Sequence, residues 1–208
     1  MASLVSLLSA QSKVEDPLLS KWARAAIGFI EKHIRWVPND PDRHGLVKKL
    51  LNFRDIWKEI VEAHQKTSAR LLAKIQEETP ETKENPLDPG HLKRIDIRAE
   101  SAMKTSIATC QNLCALGFKF LKEHSNVKRI DFYKITSGDH CFLVLGNSPE
   151  PNEQDRICDL WGRKEFLFSE KDQKLFDYKG INKHLKPILR KFDPNTQSVT
   201  LVIRFIRN

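Results

Sequence analysis

Residues 109–122 read TCQNLCALGFKFLK, and residues 140–146 read HCFLVLG. In the first stretch apolar residues recur at steps of three and four, which predicts an amphipathic helix that is capped by Thr109 or Ser106. The second stretch is apolar after its first residue, which is typical of a strand in the middle of a sheet. The hydrophobic period therefore changes between the two stretches, and this change indicates helices packed on a sheet.

Further strands are predicted on both sides of residues 140–146. They are short, rich in β-branched and aromatic residues, and separated by turn-forming residues. They fall at residues 129–136, 157–160, 165–168 and 198–206. Residues 147–155 include two prolines and predict the hairpin turn between two of these strands, and residues 171–192 predict short helices. The sequence thus predicts an α+β fold in which helices pack on an antiparallel sheet.

The N-terminal part is helical in pattern and ends at a clear break. Residues 16–37 and 43–76 each carry an apolar stripe at helical spacing. The segment after them holds three prolines and a glycine, which predicts a loop or linker. We therefore divide the chain into an N-terminal helical portion at 1–78, a linker at 79–90 and a core at 91–208, with one continuous domain as the alternative. The first part of the core, residues 91–104, fits either a strand or a helix.

The composition narrows the class of partner. The chain has 208 residues and a net charge of +8, from 35 Lys and Arg residues against 27 Asp and Glu residues. Acids and bases are interspersed and no run of five bases occurs, so the charge favours a solvated surface or an acidic protein partner over nucleic acid. No apolar run reaches the roughly 18 residues that a transmembrane helix needs. The apolar residues after Met1 lack a preceding basic region, so a Sec signal is not predicted. Because no glycine-rich phosphate-binding motif is present, no cofactor is expected.

All four cysteines lie between residues 110 and 158, a pattern that favours reduced thiols over a disulfide framework. Cys110 stands at the predicted start of a helix, where backbone N–H groups favour a thiolate. His140 begins the central strand and Asp159 ends the next, so a hairpin brings the two together. The sequence therefore predicts Cys110 as a nucleophile, His140 as its base and Asp159 as the carboxylate that orients the base. The other three cysteines are predicted to be core residues.

The same segments resemble a family of bacterial papain-like effector proteins. Residues 110–122 are similar to the nucleophile helix of that family, and DHCFLVLG at residues 139–146 is similar to the strand that begins with its histidine. RICDLWG at residues 156–162 is similar to the strand end that carries its aspartate. The resemblance covers residues 105–168, and the three segments occur in the family's order.

Members of that family are host-directed cysteine proteases and protein-glutamine deamidases with a Cys-His-Asp triad. The resemblance implies a papain-like core, the same roles for the three residues above, and a cleft wall at Trp161. Thr109 and Gln111 flank the nucleophile and are candidates for the oxyanion hole or the cleft. A protein substrate is implied, a host protein among the candidates, with delivery from the bacterial cytoplasm by a specialised secretion system. Glutamine deamidation is favoured, and proteolysis is the alternative on the same fold.

The chain departs from that family beside the nucleophile. Ala108 and Thr109 stand where the family often has Gly-Asn, and papain's oxyanion glutamine has no counterpart before Cys110. The backbone N–H of Cys110, together with a side chain such as Thr105, Ser106 or Thr109, is therefore the candidate oxyanion hole.

Two other functions fit parts of the pattern. A zinc site at Cys110, Cys114, His140 and Cys158 is conceivable, but the sequence lacks the C-x-x-C spacing that identifies such sites. The second alternative is a non-catalytic protein-binding module in which the N-terminal helices bind a partner and the triad is degenerate.

Overall fold

The computed structural model describes residues 16–35, 37, 54–79, 86–136, 140–171 and 197–207. Within these ranges the chain forms four α-helices and a five-stranded antiparallel sheet. The α+β class predicted from the hydrophobic period is thereby confirmed.

The helices are α1 (Pro17–His33), α2 (Arg54–Glu78), α3 (Pro89–Thr105) and α4 (Cys110–His124). The strands are β1 (Arg129–Ile135), β2 (Cys141–Gly146), β3 (Arg156–Asp159), β4 (Lys164–Leu167) and β5 (Val199–Ile206), and a short 3-10 turn follows β4 at Phe168–Glu170. Their order across the sheet is β4-β3-β2-β1-β5, with every neighbouring pair antiparallel. The predicted central position of residues 140–146 is therefore confirmed.

Helices α1 and α3 both begin with an Asp-Pro pair, in which the aspartate is the N-cap residue. The Asp16 carboxylate accepts a hydrogen bond from the backbone N–H of Leu18 at 2.8 Å, and Asp88 accepts one from Gly90 at 2.7 Å. In each case proline occupies the first helical position, where its missing N–H costs nothing. The end of the predicted linker at 79–90 is thus the first turn of α3.

The predicted helix at 16–37 ends earlier than expected, at His33. Ile34 is extended, and the backbone N–H of Arg35 donates to the Ser106 carbonyl at 3.0 Å. The chain therefore leaves the helix to bond with the segment between α3 and α4, before the prolines that follow.

The core is formed by three helices on one face of the sheet. Buried apolar residues of α1, α3 and α4 share one cluster with inward-facing residues of β1, β2, β3 and β5. A second buried cluster lies on the opposite face, around Tyr133, Phe142 and Ile157. Helix α1 therefore contributes to the same core as α4 and the sheet, and these elements together hold the site described below.

The remaining predictions fall partly outside the described residues. The predicted helices at 171–192 and the first part of the predicted helix at 43–76 lie outside them, and the division at 79–90 stays a prediction. In the part of the chain that the structure describes, no helix is both long enough and apolar enough to cross a membrane.

Candidate active site

Cys110 is the first residue of α4 and is half-buried. Thr109 is the N-cap residue by its extended backbone, and its carbonyl accepts the first helical hydrogen bond from Leu113 at 2.9 Å. The Thr109 side chain makes no capping hydrogen bond. The Thr109 side chain therefore does not occupy the backbone N–H groups of the first turn, and their partial positive charge favours an anion at the helix start, where Cys110 stands. The predicted placement of Cys110 at a helix start is confirmed.

His140 and Asp159 form a buried pair at one end of the sheet. His140 immediately precedes β2 and Asp159 ends β3, and the antiparallel pairing of these strands brings the two side chains together. The His140 Nε2 atom lies 3.2 Å from Asp159 Oδ1, and the side chains are 4 % and 1 % exposed. Asp159 Oδ1 also accepts a hydrogen bond from the backbone N–H of Gly162 at 2.9 Å. The carboxylate is thus fixed by its own turn while it contacts the imidazole.

Aromatic rings enclose the imidazole. The Trp161 ring meets His140 edge-on, with ring centroids 5.6 Å apart and planes at 68°. Phe142 lies nearly parallel to His140 at 6.5 Å. Trp161 therefore packs directly against His140, and the rings restrict the orientations that His140 can adopt.

The charge state of His140 depends on its two polar neighbours. Burial lowers the pKa of His140, but the charge of Asp159 and hydrogen bonds to Asp159 and Cys110 outweigh it and raise this pKa from 6.5 to about 10. Because Nε2 faces Asp159, Nδ1 is the ring nitrogen that remains for another partner. The arrangement favours an imidazolium between a carboxylate and the Cys110 sulfur.

The other three cysteines are buried thiols, and all four are reduced. A hydrogen bond with Cys110 and then burial raise the pKa of the Cys141 thiol far above its ordinary value. Burial, with smaller effects from neighbouring charges, also raises the pKa of Cys114 and Cys158. The Cys158 thiol donates to the Ala23 carbonyl at 3.5 Å. These three groups therefore stay protonated, and Cys110 is the one cysteine of the four that is not fully buried.

The oxyanion candidates divide into two groups. The Thr105 hydroxyl donates to the Ser101 carbonyl at 2.9 Å, and Ser106 is the left-handed C-cap of α3, with a φ of 55°. Both residues therefore end α3. Thr109 and Gln111 are the chain neighbours of Cys110 and are half-buried. They remain candidates for the oxyanion hole or the cleft.

Sequence reasoning missed two neighbours of the nucleophile. Cys141 is a buried residue of the main core, as predicted, and Cys110 is the first cause that raises the pKa of its thiol. Arg98 of α3 donates from Nη1 to Asn112 Oδ1 in the first turn of α4, at 3.4 Å, and its pKa is lowered by burial with a partly opposing effect of Cys141. The sequence offers no signal for either contact, since each depends on how α3 and α4 pack.

Among the described residues, no group of three or more His, Cys, Asp or Glu side chains has an arrangement that would hold a metal ion. The zinc alternative therefore gains no support from the geometry.

In a comparison with known proteins, no family model, no curated protein and no solved structure matches this chain.

Proposed function

We propose that the protein is a cysteine-dependent amide hydrolase with a papain-like catalytic core, that it acts on a partner protein through an acyl-enzyme, and that glutamine deamidation is its reaction. The observation that carries the proposal is the contact chain from Cys110 through His140 to Asp159. These residues come from the start of a helix and the ends of two adjacent strands. A chain of thiol, imidazole and buried carboxylate is the arrangement that activates a sulfur nucleophile.

Each side chain has a definite part in the proposed reaction. The Cys110 thiolate attacks the amide carbonyl carbon, and the backbone N–H groups at the start of α4 stabilise the negative oxygen that forms. The His140 imidazolium gives its proton to the leaving nitrogen as the C–N bond breaks. Neutral His140 then takes a proton from water, whose oxygen attacks the thioester; the C–S bond breaks and releases the acid and the Cys110 thiolate. Asp159 holds the ring orientation throughout and stabilises the positive charge of the ring whenever His140 is protonated.

The leaving group separates the two reactions that the site supports. Ammonia leaves when the amide is a glutamine side chain, and an amine leaves when the amide is a peptide bond. The residues that act are the same in both cases. The preference for deamidation rests on the resemblance of residues 105–168 and on the net charge of +8, which favours one acidic partner protein over general proteolysis. The same resemblance extends the proposal to a bacterial effector that is delivered into a host cell.

Thiol alkylation tests the triad without a substrate. The rate of iodoacetamide labelling at each cysteine is measured at neutral pH by peptide mass mapping. We expect Cys110 to react at least about 10-fold faster than Cys114, and His140→Ala to remove most of this advantage. His124→Ala is the matched control, since this exposed histidine lies at the far end of α4. Equal labelling of Cys110 and Cys114, unchanged by His140→Ala, would overturn the triad.

Intact-mass analysis then identifies the reaction. Candidate partner proteins are incubated with the wild-type protein and with Cys110→Ala. A gain of about one dalton per modified glutamine, seen only with the wild type, indicates deamidation, whereas fragments indicate proteolysis.

One observation favours the binding-module alternative. A groove of about 390 Å³ between α2 and α3 is lined by three bases, Arg70, Lys74 and Lys104, and by one acid, Glu100. Its charge suits an acidic protein segment. The binding-module alternative is favoured if Cys110 and Cys114 are alkylated equally and charge reversal at Lys74 and Lys104 weakens partner binding.

A further inference from the structure

The groove between α2 and α3 combines an apolar base with a charged rim. Leu71 of α2 and Ile97 of α3 line it, are 7 % and 5 % exposed, and share a small buried cluster. Thr67, Ser101 and Thr105 contribute hydroxyl-bearing side chains to the same lining. The groove therefore offers apolar contact at its base beside polar groups.

The charge of this groove is positive and incompletely neutralised. Its lining holds Arg70, Lys74 and Lys104 against one acid, Glu100. Lys74 pairs with Glu78 at 3.6 Å, whereas Arg70 and Lys104 make no ion pair with any residue that the structure describes. Both of these side chains are exposed. Two bases on facing helices are therefore available to an anionic partner.

Charge argues against the chain itself as the occupant of the groove. Among the segments outside the described residues, 38–53 holds three bases and two acids, and 172–196 holds six bases and three acids. No other such segment carries more than one net negative charge. A second copy of the chain, with a net charge of +8, is disfavoured by the same repulsion. The groove therefore suits an acidic segment of a different protein.

The groove ends near the start of α4. Its last lining residues on α3 are Lys104 and Thr105, and Cys110 begins α4 five residues after Thr105. Five residues of extended chain span at most about 18 Å, so the α-carbons of Thr105 and Cys110 are no farther apart than this. Arg98 of α3 also donates to Asn112 in the first turn of α4 at 3.4 Å, which joins the two helices. A protein segment in the groove is thus held close to Cys110.

We propose that the groove between α2 and α3 is a docking site that selects an acidic substrate protein and holds it beside Cys110. The segment that fits is amphipathic: its carboxylates meet Arg70 and Lys104, and its apolar side chains meet Leu71 and Ile97. This segment lies apart from the amide that reacts. Docking therefore determines which protein is modified, because it raises the local concentration of that protein at Cys110. The inference rests on the proposed function for the reaction, whereas the docking is measured separately.

Peptide binding to the full chain tests the docking site. The probe is a fluorescein-labelled peptide of about 14 residues that contains Glu, Ala and Leu, with Leu at helical spacing, and the matched probe has Lys in place of Glu. Fluorescence anisotropy gives the Kd at about 50 and about 300 mM NaCl. We expect the acidic peptide alone to bind, with a Kd at least about 5-fold weaker at the higher salt, because salt screens exposed charges. Equal binding of the basic peptide would overturn the proposal.

Charge reversal locates the binding. Arg70→Glu/Lys104→Glu should weaken binding of the acidic peptide at least about 10-fold, and Arg70→Gln/Lys104→Gln should weaken it less. Lys21→Glu/Lys128→Glu is the matched control, since it changes the net charge equally at two exposed bases outside the groove, and it should alter the Kd by less than about 2-fold. Circular dichroism checks that each variant folds.

Two results of the charge-reversal experiment would reject the docking site. Equal weakening in both charge-reversal variants would show attraction to the net charge alone. Tighter binding of a single-stranded oligonucleotide of equal charge, with the same loss in Arg70→Glu/Lys104→Glu, would assign the groove to nucleic acid.

A tethered electrophile tests whether the docked segment lies near Cys110. The acidic peptide carries a chloroacetamide on a flexible linker of about 20 Å, and free chloroacetamide is the reference. At equal micromolar concentration, we expect the tethered reagent to alkylate Cys110 at least about 10-fold faster than the free reagent. Arg70→Glu/Lys104→Glu should abolish this advantage. Peptide mass mapping identifies the alkylated cysteine.

The outcomes separate this inference from the proposed function. If free chloroacetamide labels Cys110 in a His140-dependent manner while the tethered reagent reacts no faster, the docking site is rejected and the proposed function stands. If the tethered reagent reacts faster while His140→Ala leaves the rate of the free reagent unchanged, the proposed function is rejected. The groove then binds a partner that is not a substrate.

Discussion

The two ends of the central strands bury charge in different ways. At the end opposite His140, the Arg129 side chain is fully buried and donates from Nε to Asp131 Oδ2 at 3.0 Å. It also donates to the Ser148 carbonyl and to the Asp155 carboxylate. Arg204 of β5 adds bonds of 2.8 and 3.0 Å to the two oxygens of Asp131. We call this set of four side chains and one carbonyl the closed end.

The end with His140 and Asp159 holds its buried charges beside Cys110, a residue that is half-exposed. A buried charge with many fixed hydrogen bonds stabilises the fold only as a complete set, because removal of one member leaves the others unpaired. A charge beside an accessible sulfur changes when that sulfur reacts. We therefore expect substitutions at the closed end to lower stability alone, whereas substitutions at the reactive end should also lower the reactivity of Cys110.

The largest effect is expected from Arg129→Met at the closed end. Loss of the guanidinium leaves the buried carboxylates of Asp131 and Asp155 without their shared partner, so the free energy of unfolding should fall by about 3–5 kcal/mol. Urea unfolding followed by circular dichroism measures this loss of free energy of unfolding. Lys128→Met changes the exposed neighbour and serves as the control. A loss for Arg129→Met no larger than that for Lys128→Met would show that the guanidinium does not stabilise the buried carboxylates.

A smaller loss of stability is expected from Gly146→Ala. An added methyl group would lie 2.5 Å from Arg129 Nη2 and 2.8 Å from Asp155 Oδ1, so the closed end would have to shift, at a cost of about 1–3 kcal/mol. Gly28→Ala in α1 is the matched control, because its methyl group would meet nothing within 4 Å. There the gain in helix propensity should stabilise the fold by about 0.5–1 kcal/mol. The same sign for both variants in urea unfolding would contradict this prediction.

At the reactive end we expect a pH dependence of stability. The pKa of His140 is raised from 6.5 to about 10 in the fold, so protonated His140 stabilises the native state. This contribution is fully present below pH 6.5 and is lost as the pH rises towards 10. Asp159→Asn removes the charge that raises this pKa while its side-chain oxygen still accepts from Gly162. Urea midpoints between pH 6 and 10 should therefore fall more steeply for the wild type than for Asp159→Asn. Parallel profiles would show that the pair does not titrate in this window.

The smallest effect is expected from Gly117→Ala in α4. Its methyl group would overlap the buried side chain of Leu160, the residue after Asp159. Overpacking should outweigh the gain in helix propensity by about 1 kcal/mol, because the Leu160 methyls can move partly aside. Urea unfolding and the alkylation rate of Cys110 measure the two consequences. If Gly117→Ala stabilises the protein as much as Gly28→Ala does, the added methyl group does not clash with Leu160.

Local signals in the sequence were enough for most of the described elements. The Asp16-Pro17 start, the central strand at 140–146 and the helix start at Cys110 each depend on residues close together in the chain, and the structure confirms them. Residues 91–104 remained ambiguous because α3 is buried on two sides. Ile95 packs in the main core, whereas Ile97 packs against Leu71 and Ile75 of α2. Two buried faces remove the single apolar stripe that identifies a helix.

The site was predictable to the same extent. Cys110, His140 and Asp159 could be singled out because each stands at the end of an apolar element, where a rigid backbone can present a polar group. Cys141 could not, since its alternating position in a strand resembles that of any core residue. The closed end was not predicted either. Its charges, on Arg129, Asp131, Asp155 and Arg204, find their partners only through the pairing of β1 with β5 and the turn before β3.

The position of β5 has a consequence for the order of folding. Strands β1 to β4 are joined to their sheet neighbours by short connections, whereas Asp131 and Arg204, which link β1 to β5, are 73 positions apart in the chain. Closing a long loop costs more entropy, so we expect the four-strand meander to form first and β5 to dock last. Pulsed hydrogen exchange during refolding would then protect amides of β1 to β3 before those of β5. The last strand to arrive would carry the guanidinium that completes the closed end, so that the sheet becomes stable only when its final edge is in place.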